Sequence, residues 1–537
     1  MSDKNLSADV VVIGAGIAGS LAALKMARAG AQVLVLESGP PLYRDQIVER
    51  FRNSPLKGDF MDPYPAAPWA PQPKFQPKDN GYLIQKGPSP YQAMYLRGIG
   101  GTTWHWAGQA FRMLPNDFRI QSLYGVGRDW PISYDDLEPF YYEAELEIGV
   151  SGEIDQGSPR AHPYPMPPIP LPYGIQRMKE RLAGSKFEVS VEPQARNSVP
   201  YDGRPACCGN NNCMPICPIN AQYNGGIGAR KAQEAGARIV ANAVVYRIEA
   251  NDQGRIEAVH YLDQNKVSHR VTGKTFVLTA NGVESPKLLM ISTSDRYPNG
   301  IANRSGMVGR NLMDHPASSV EFFADEPIWF GRGPQRPAGI NNYRDGAYRK
   351  EYASTRLDIA ATSPVRYLTE KLIAQGYHGT ELNEKLEYQA AHYVSFKSLF
   401  EMLPMPENRF VPSKTEKDAW GIPRLEVYYQ FPEYVNKAYD HCKDDFQELV
   451  RLMGGKEAVY SPRGVYSNNQ HITGTMLMGN DPTNSVVDKD CRAHDHENLF
   501  IAGTGIMPSS STVNSTLSGT ALALMMAGNV LKSLRAA

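Results

Sequence analysis

Residues 10–13, VVVI, form a short unbroken apolar run, the pattern of a parallel strand buried on both faces. The run stops at glycine. Beyond the turn, Leu21, Leu24 and Ala27 recur at helical spacing, and 33–36 (VLVL) is a second apolar run that ends at an acid, Glu37. A strand, a tight turn, a helix and a strand are therefore predicted within 8–40. Near the other end, 499–502 repeats the buried-strand pattern. A glycine pair follows, and a capped helix is predicted to begin at about 514–516. Between these ends, 391–403, 408–414 and 424–431 read as strands of an antiparallel sheet, followed by a helix over 433–453. Two stretches, 63–77 and 162–174, hold too much proline for a helix or a central strand and read as extended covering loops.

The chain of 537 residues exceeds what one compact core accommodates. The pattern predicts an α/β protein. Its nucleotide-binding domain is assembled from 1–60, 85–125, 225–320 and 465–537, an insert spans 126–224, and a substrate domain built on the antiparallel sheet spans 320–465. Lys plus Arg equals Asp plus Glu, 56 each, with no basic block, which argues against nucleic acid as a partner. No apolar run approaches the ~18 residues of a membrane-crossing helix. The first residues, MSDKNLSADVVVIG, lack the pattern of a secretory signal, so export by a leader of its own is not expected.

Gly14, Gly16 and Gly19 give G-x-G-x-x-G at the predicted strand-to-helix turn. Gly14 permits the turn, Gly16 lets a pyrophosphate approach the backbone, and Gly19 lets the helix pack on the sheet. Glu37 is placed to accept hydrogen bonds from an unphosphorylated ribose, hence FAD or NAD. The C-terminal segment favours FAD. A helix N-terminus aimed into the site suits the negative charge of a reduced flavin, which a nicotinamide does not develop.

Four of the six cysteines crowd into CCGNNNCMPICP, 207–218. Disulfides, zinc, four structural thiols and an iron–sulfur cluster compete. Adjacent Cys207 and Cys208 bond poorly to each other, and no C-x₂-C hooks for zinc are present. The cluster fits the spacing best. Cys208, Cys213 and Cys217 form C-x₄-C-x₃-C, and Pro218 follows as in ferredoxin-type loops. Backbone N–H groups of 209–212 could donate to cluster sulfurs. Cys207 is then left over, although an exchange between Cys207 and Cys208 stays open. Cys442 and Cys491 are distant and read as inert.

Over nearly its full length the chain resembles the glucose–methanol–choline oxidoreductases. Within them it is similar to the flavoprotein subunits of bacterial membrane-bound sugar and sugar-acid dehydrogenases. The segments that carry this are IGAGIAGS, GIGGTTWHWAG (98–108), YGVGRDWPISYDDLEPFYYEAE (124–145), the cysteine block, VLTANGVESPKLLM (277–290), MVGRNLMDHP (307–316), NNQHITGTMLMG (468–479) and TVNST (512–516). The resemblance implies His471 as the base that takes the hydroxyl proton and Asn514 as its partner on the substrate oxygen. It implies flavin contacts from Gly100, Gly101, His105, Val245, Ala280, Gly503, Thr512 and Val513, and a three-iron cluster in the cysteine block. His105 has two readings: covalent attachment to the flavin ring, as in some relatives, or packing between Trp104 and Trp106 beside a free flavin. Gln109 stands where the family carries a small residue, and PINAQYNGG stands where PIGAMYNG is expected.

The implied function is an FAD-dependent dehydrogenase that oxidises an alcohol of a sugar, sugar acid or polyol. Its electrons would pass through the cluster to a membrane-anchored multihaem cytochrome c. A small subunit bearing the export signal would bring the chain to the periplasmic face of the inner membrane. A glycoside 3-dehydrogenase and a sugar oxidase are the rival enzymes. An electron-transfer flavoprotein without substrate chemistry would need neither His471 nor Asn514.

Overall fold

The computed structural model describes residues 6–55, 61–73, 82–153 and 157–536. The first five residues and 74–77 of the first proline-rich stretch lie outside the described residues. Both chain ends meet in one sheet. Strand Leu6–Ile13 lies parallel between Val33–Leu36 and Ser268–Leu278. Arg238–Val240 extends one side, and Leu499–Ile501 pairs in parallel with the end of Ser268–Leu278. The antiparallel strands Val244–Ala250 and Ile256–Leu262 complete the sheet. Its parallel strands are apolar throughout because helices cover them. Helix Ile17–Arg28 packs between Gly225–Glu234 and the closing helix Thr516–Ala536, which also packs on Tyr134–Ile148. The closing helix has the length and hydropathy of a membrane span. However, 67% of its apolar window is buried inside the protein, as expected of a core helix. Met476, Met478, Met525 and Met526 fill this core.

A second sheet is antiparallel, in the order Lys456–Tyr460, Ala317–Phe323, Tyr393–Phe400, Thr355–Ile359, Ala338–Ile340, Val189–Val191. Helix Glu433–Leu452 covers it. Val435, Ala438, Tyr439, Cys442, Phe446 and Leu449 recur every three or four residues and supply the buried face.

Two boundaries differ from the expectation. The strands expected at 408–414 and 424–431 leave the second sheet. They form the hairpin Arg409–Lys417 and Pro423–Tyr428, to which Leu83–Gln85 adds in parallel. The reason is a separate small core. Phe410, Leu425 and Val427 bury against Tyr91, Ile472 and Leu477. The stretch 126–224 is shared between layers. Its helix Tyr134–Ile148 belongs to the first core, and its strand Val189–Val191 edges the second sheet.

Candidate active site

The turn after Leu6–Ile13 lies at the carboxyl ends of the parallel strands, where open α/β sheets bind ligands. A Cβ at Gly14 would stand 2.9 Å from the Thr279 carbonyl oxygen, and one at Gly19 would stand 2.0 Å from that of Gly14. These two glycines are needed for packing. Gly16 has nothing within 4 Å of its missing Cβ and borders a cavity of about 400 Å³ that runs from Glu37 to His471. Glu37 Oε2 accepts the Ala15 N–H at 2.8 Å and Oε1 accepts the Gly39 N–H at 2.9 Å, which ties the turn to the end of the second strand. Gly101, His105, Val245, Ala280 and Gly503 also line the cavity. Gly100, Thr512 and Val513 are not part of its lining. At Gly100 a Cβ would meet the Gly226 nitrogen at 2.5 Å, and Thr512 Oγ1 is buried with no hydrogen-bond partner. The N-terminus of the closing helix, 514–516, faces the cavity. An open glycine, an acid at the strand end and a helix N-terminus at the far end fit FAD.

His471 occupies that far end. Its Nδ1 lies 2.7 Å from His315 Nδ1, and its Nε2 lies 2.9 Å from Asn514 Nδ2. The neighbours dictate where the protons sit. His315 Nε2 lies 2.8 Å from the Ser511 carbonyl oxygen and 3.2 Å from that of Ser510. Both oxygens only accept, so His315 Nε2 carries the hydrogen. Burial keeps His315 neutral, pushing its pKa down to about 4, and pushes His471 well below 6.5, with His315, Arg356 and Lys397 adding to the effect. Neutral His315 therefore presents a bare Nδ1, which accepts from His471 Nδ1–H. His471 is left with a lone pair on Nε2, the atom that faces the cavity.

The same logic orients Asn514. Arg356 Nη2 lies 3.1 Å from Asn514 Oδ1, and a guanidinium can only donate. The amide nitrogen must then face His471 Nε2 and, at 3.3 Å, Gln109 Oε1. Gln109 Nε2 donates to Asp358 Oδ1 at 3.0 Å and to Glu192, which pairs with Arg356. Gln109 is thus a fixed link in the network.

Asp314 and His315, which lie in the matching segment MDHP but take no role from the sequence, both contact His471. Asp314 Oδ1 accepts the N–H groups of His315 at 2.7 Å, His471 at 3.0 Å and Asn469 at 3.2 Å. One carboxylate thereby joins two loops that are far apart in the chain. Burial pushes Asp314 up to about 6, against the pull of those N–H groups.

The cysteine loop lies on the other flank of the cavity. Met214, inside the loop, lines the cavity together with His105. The His105 ring meets Tyr64 edge-on at 5.7 Å, and Tyr64 Oη donates to the Pro215 carbonyl at 2.6 Å. Cys213 and Cys217 are buried, Cys207 is partly buried and Cys208 is exposed. Burial pushes the Cys207 thiol up, and the Cys213 and Cys217 thiols add to the shift, while Arg196 and the Gly209 N–H oppose it. The Gly209 N–H points at Cys207 Sγ, 3.4 Å away. Of the adjacent pair, Cys207 is thus the more enclosed and Cys208 the exposed one. Among the described residues, no three Cys, His, Asp or Glu side chains converge as they would on a single ion. A cluster spreads its ligands over several iron atoms and does not need that convergence.

A flavin cradle that ends in a histidine and an amide fits an FAD-dependent oxidoreductase acting on CH–OH groups. Two GMC oxidoreductase models match residues 184–317 and 415–523, and an FAD binding domain model matches 9–43. The chain is 49% identical to the fructose dehydrogenase large subunit of Gluconobacter japonicus, covering all of both chains. It is 24% identical to the gluconate 2-dehydrogenase flavoprotein of Pantoea cypripedii, over 95% of this chain and 91% of that one. The crystal structure of pyridoxine 4-oxidase from Mesorbium loti superposes with a TM-score of 0.66 at 18% identity, over 97% and 98% of the two chains. The chain belongs to the glucose–methanol–choline oxidoreductase family.

Proposed function

We propose that the chain is the catalytic subunit of a dehydrogenase that oxidises an alcohol group of a sugar or related polyol. The observation that carries this reading is the contact of His471 Nε2 with the Asn514 amide at the head of the flavin cradle. A substrate hydroxyl that enters between them gives its proton to His471 Nε2 and accepts a hydrogen bond from Asn514 Nδ2. Both groups then act on one oxygen, which aims the C–H bond into the cradle. The flavin, when bound, supplies the ring that accepts the hydride. His315 takes up part of the charge that forms on His471, because its Nδ1 accepts the His471 Nδ1–H.

For the cluster we propose Cys207, Cys213 and Cys217 as ligands. Such a cluster would carry electrons singly, and the place of Met214 in the cavity wall supports a short path to it from the flavin. The likeness to a protein named as a large subunit supports a complex. In the proposed assembly a membrane-anchored cytochrome c receives the electrons, and a small subunit bearing an export signal carries the chain to the periplasmic face.

The test is anaerobic mixing of the flavin-loaded protein with fructose, glucose, gluconate and sorbitol, followed by dye and oxygen assays. Flavin bleaching by at least one of them, with dye reduced far faster than oxygen, is expected. No bleaching by any of them overturns the sugar reading, and rapid oxygen reduction turns it into an oxidase. Acid precipitation separates the two readings of His105: fluorescence in the pellet marks a covalent flavin, and fluorescence in the supernatant a packed one.

A further inference from the structure

Beside the catalytic pair, the cavity wall carries Asp358 and Arg336. Asp358 Oδ1 accepts Gln109 Nε2 at 3.0 Å, and Asp358 Oδ2 lies 3.1 Å from Arg336 Nη1. That last contact is an ion pair without hydrogen-bond geometry, for Arg336 Nη1 is buried with no hydrogen-bond partner. An ionised carboxylate offers about four lone-pair directions, and these contacts leave some unfilled. A buried donor left unsatisfied is costly, and the same donor beside a cavity is where a ligand oxygen gains most.

We infer that Asp358 and Arg336 form the recognition subsite for the substrate's non-reacting hydroxyls, and that this subsite takes a neutral polyol in preference to a sugar acid. The inference rests on the proposed function and sharpens its substrate class. A pair of hydroxyls on neighbouring carbons can donate to the Asp358 carboxylate and accept from Arg336 Nη1 at once. A carboxylate in the same place would meet Asp358 across a buried gap, and Arg336 is already balanced. Behind the pair, Arg356 pairs with Glu192 and lies 3.6 Å from Asp358 Oδ1. The nearby amine, Lys397, is engaged by Asn469, donating to its Oδ1 at 2.6 Å. Gln109 ties this subsite to the chemistry, since its amide holds Asp358 on one side and Asn514 on the other. The unexpected glutamine thus sets the spacing between the oxygen to be oxidised and the hydroxyls that are recognised.

The test uses the flavin-loaded chain and anaerobic single-turnover bleaching by fructose and by gluconate, for the native protein, Asp358→Asn and Arg336→Gln, with flavin content measured for each. For the native protein, half-saturation by gluconate should need at least ~30-fold more ligand than fructose, the scale of a like charge facing a buried carboxylate. In Asp358→Asn, half-saturating fructose should rise at least ~10-fold with a limiting rate within about 3-fold, and the gluconate-to-fructose ratio should fall at least ~10-fold. Arg336→Gln, at a less enclosed position, should raise half-saturating fructose in the same way and serves if Asp358→Asn does not retain flavin. Equal half-saturation by the two ligands in the native protein overturns the inference and leaves the functional reading standing. So does a half-saturation within 2-fold of native in a flavin-replete variant. Failure of both ligands and of sorbitol to bleach the native flavin overturns the functional reading itself.

Discussion

The alcohol site and the cysteine loop flank the same cavity and are built in opposite ways. From the Ser511 carbonyl through His315, His471 and Asn514 to Gln109, each hydrogen bond has one possible direction. Asn514 is buried and His471 is partly buried. At the cysteine loop, one thiol is exposed, and the loop is held by a few outside contacts. Tyr64 holds Pro215, Arg44 reaches the Cys217 carbonyl, and Asn211 Nδ2 donates to the carbonyls of Gly333 at 3.0 Å and Ala361 at 3.1 Å. The contrast follows from what each side would transfer. A proton moves only along a bond whose donor and acceptor are fixed. An electron needs proximity and an edge that a partner can reach.

If the two regions are separate devices, breaking one should spare the other. His471→Ala should lower sugar-driven flavin bleaching by at least ~10²-fold, the scale of a lost general base, with flavin and iron contents unchanged. Asn514→Ala should act the same way, more weakly. On the other flank, Cys213→Ser should remove most of the iron and collapse transfer to a cytochrome while bleaching continues. Cys207→Ser should match it and Cys208→Ser should do far less. Iron analysis and electron paramagnetic resonance check this order, and the reverse order for Cys207 and Cys208 would return Cys208 to the ligand set.

A smaller effect is expected at His315. His315→Phe removes the acceptor that fixes the tautomer of His471, and should slow bleaching by about 10-fold, within the range for a positioned proton partner. The readout that a packing defect would not reproduce is the pH profile. Because burial holds His471 well below 6.5, the native bleaching rate should stay flat from pH 8 to below 6.5, and the variant should shift that acid limb.

A separate effect is on stability. The folded pKa of His315, about 4, lies below the ordinary 6.5, so the unfolded chain binds this proton first. Its contribution is complete above pH 6.5 and is lost as pH falls toward 4, the loss amounting to about 3 kcal/mol. Denaturant titrations should show native stability falling over this window, with a shallower fall in His315→Phe.

Much of this was legible in the chain. The glycine turn, the paired strands at both ends and the C-terminal helix carry local patterns that tertiary context only confirms: strand Val33–Leu36 falls where the apolar run placed it, and helix Glu433–Leu452 lies within a residue of its expected ends. The hairpin Arg409–Lys417 and Pro423–Tyr428 was read as strands but assigned to the wrong sheet, because alternation reveals a buried face and not what covers it. His315 was passed over because its role lies in one ring nitrogen and two carbonyls nearly 200 residues away in sequence, which no local pattern encodes. Cys207 and Cys208 are adjacent and chemically identical. Only the folded loop separates them, leaving Cys207 partly buried and Cys208 exposed.

Alcohol oxidation at the proposed His471 site should not depend on the cysteine loop. Stopped-flow anaerobic mixing of Cys213→Ser with a sugar that bleaches the native flavin tests it most directly, with flavin content matched beforehand. Bleaching at a rate within about 3-fold of native is expected, followed by no electron delivery to a cytochrome partner, since His471 and Asn514 remain in place. Flavin that is fully bound yet no longer bleached by the sugar would contradict it.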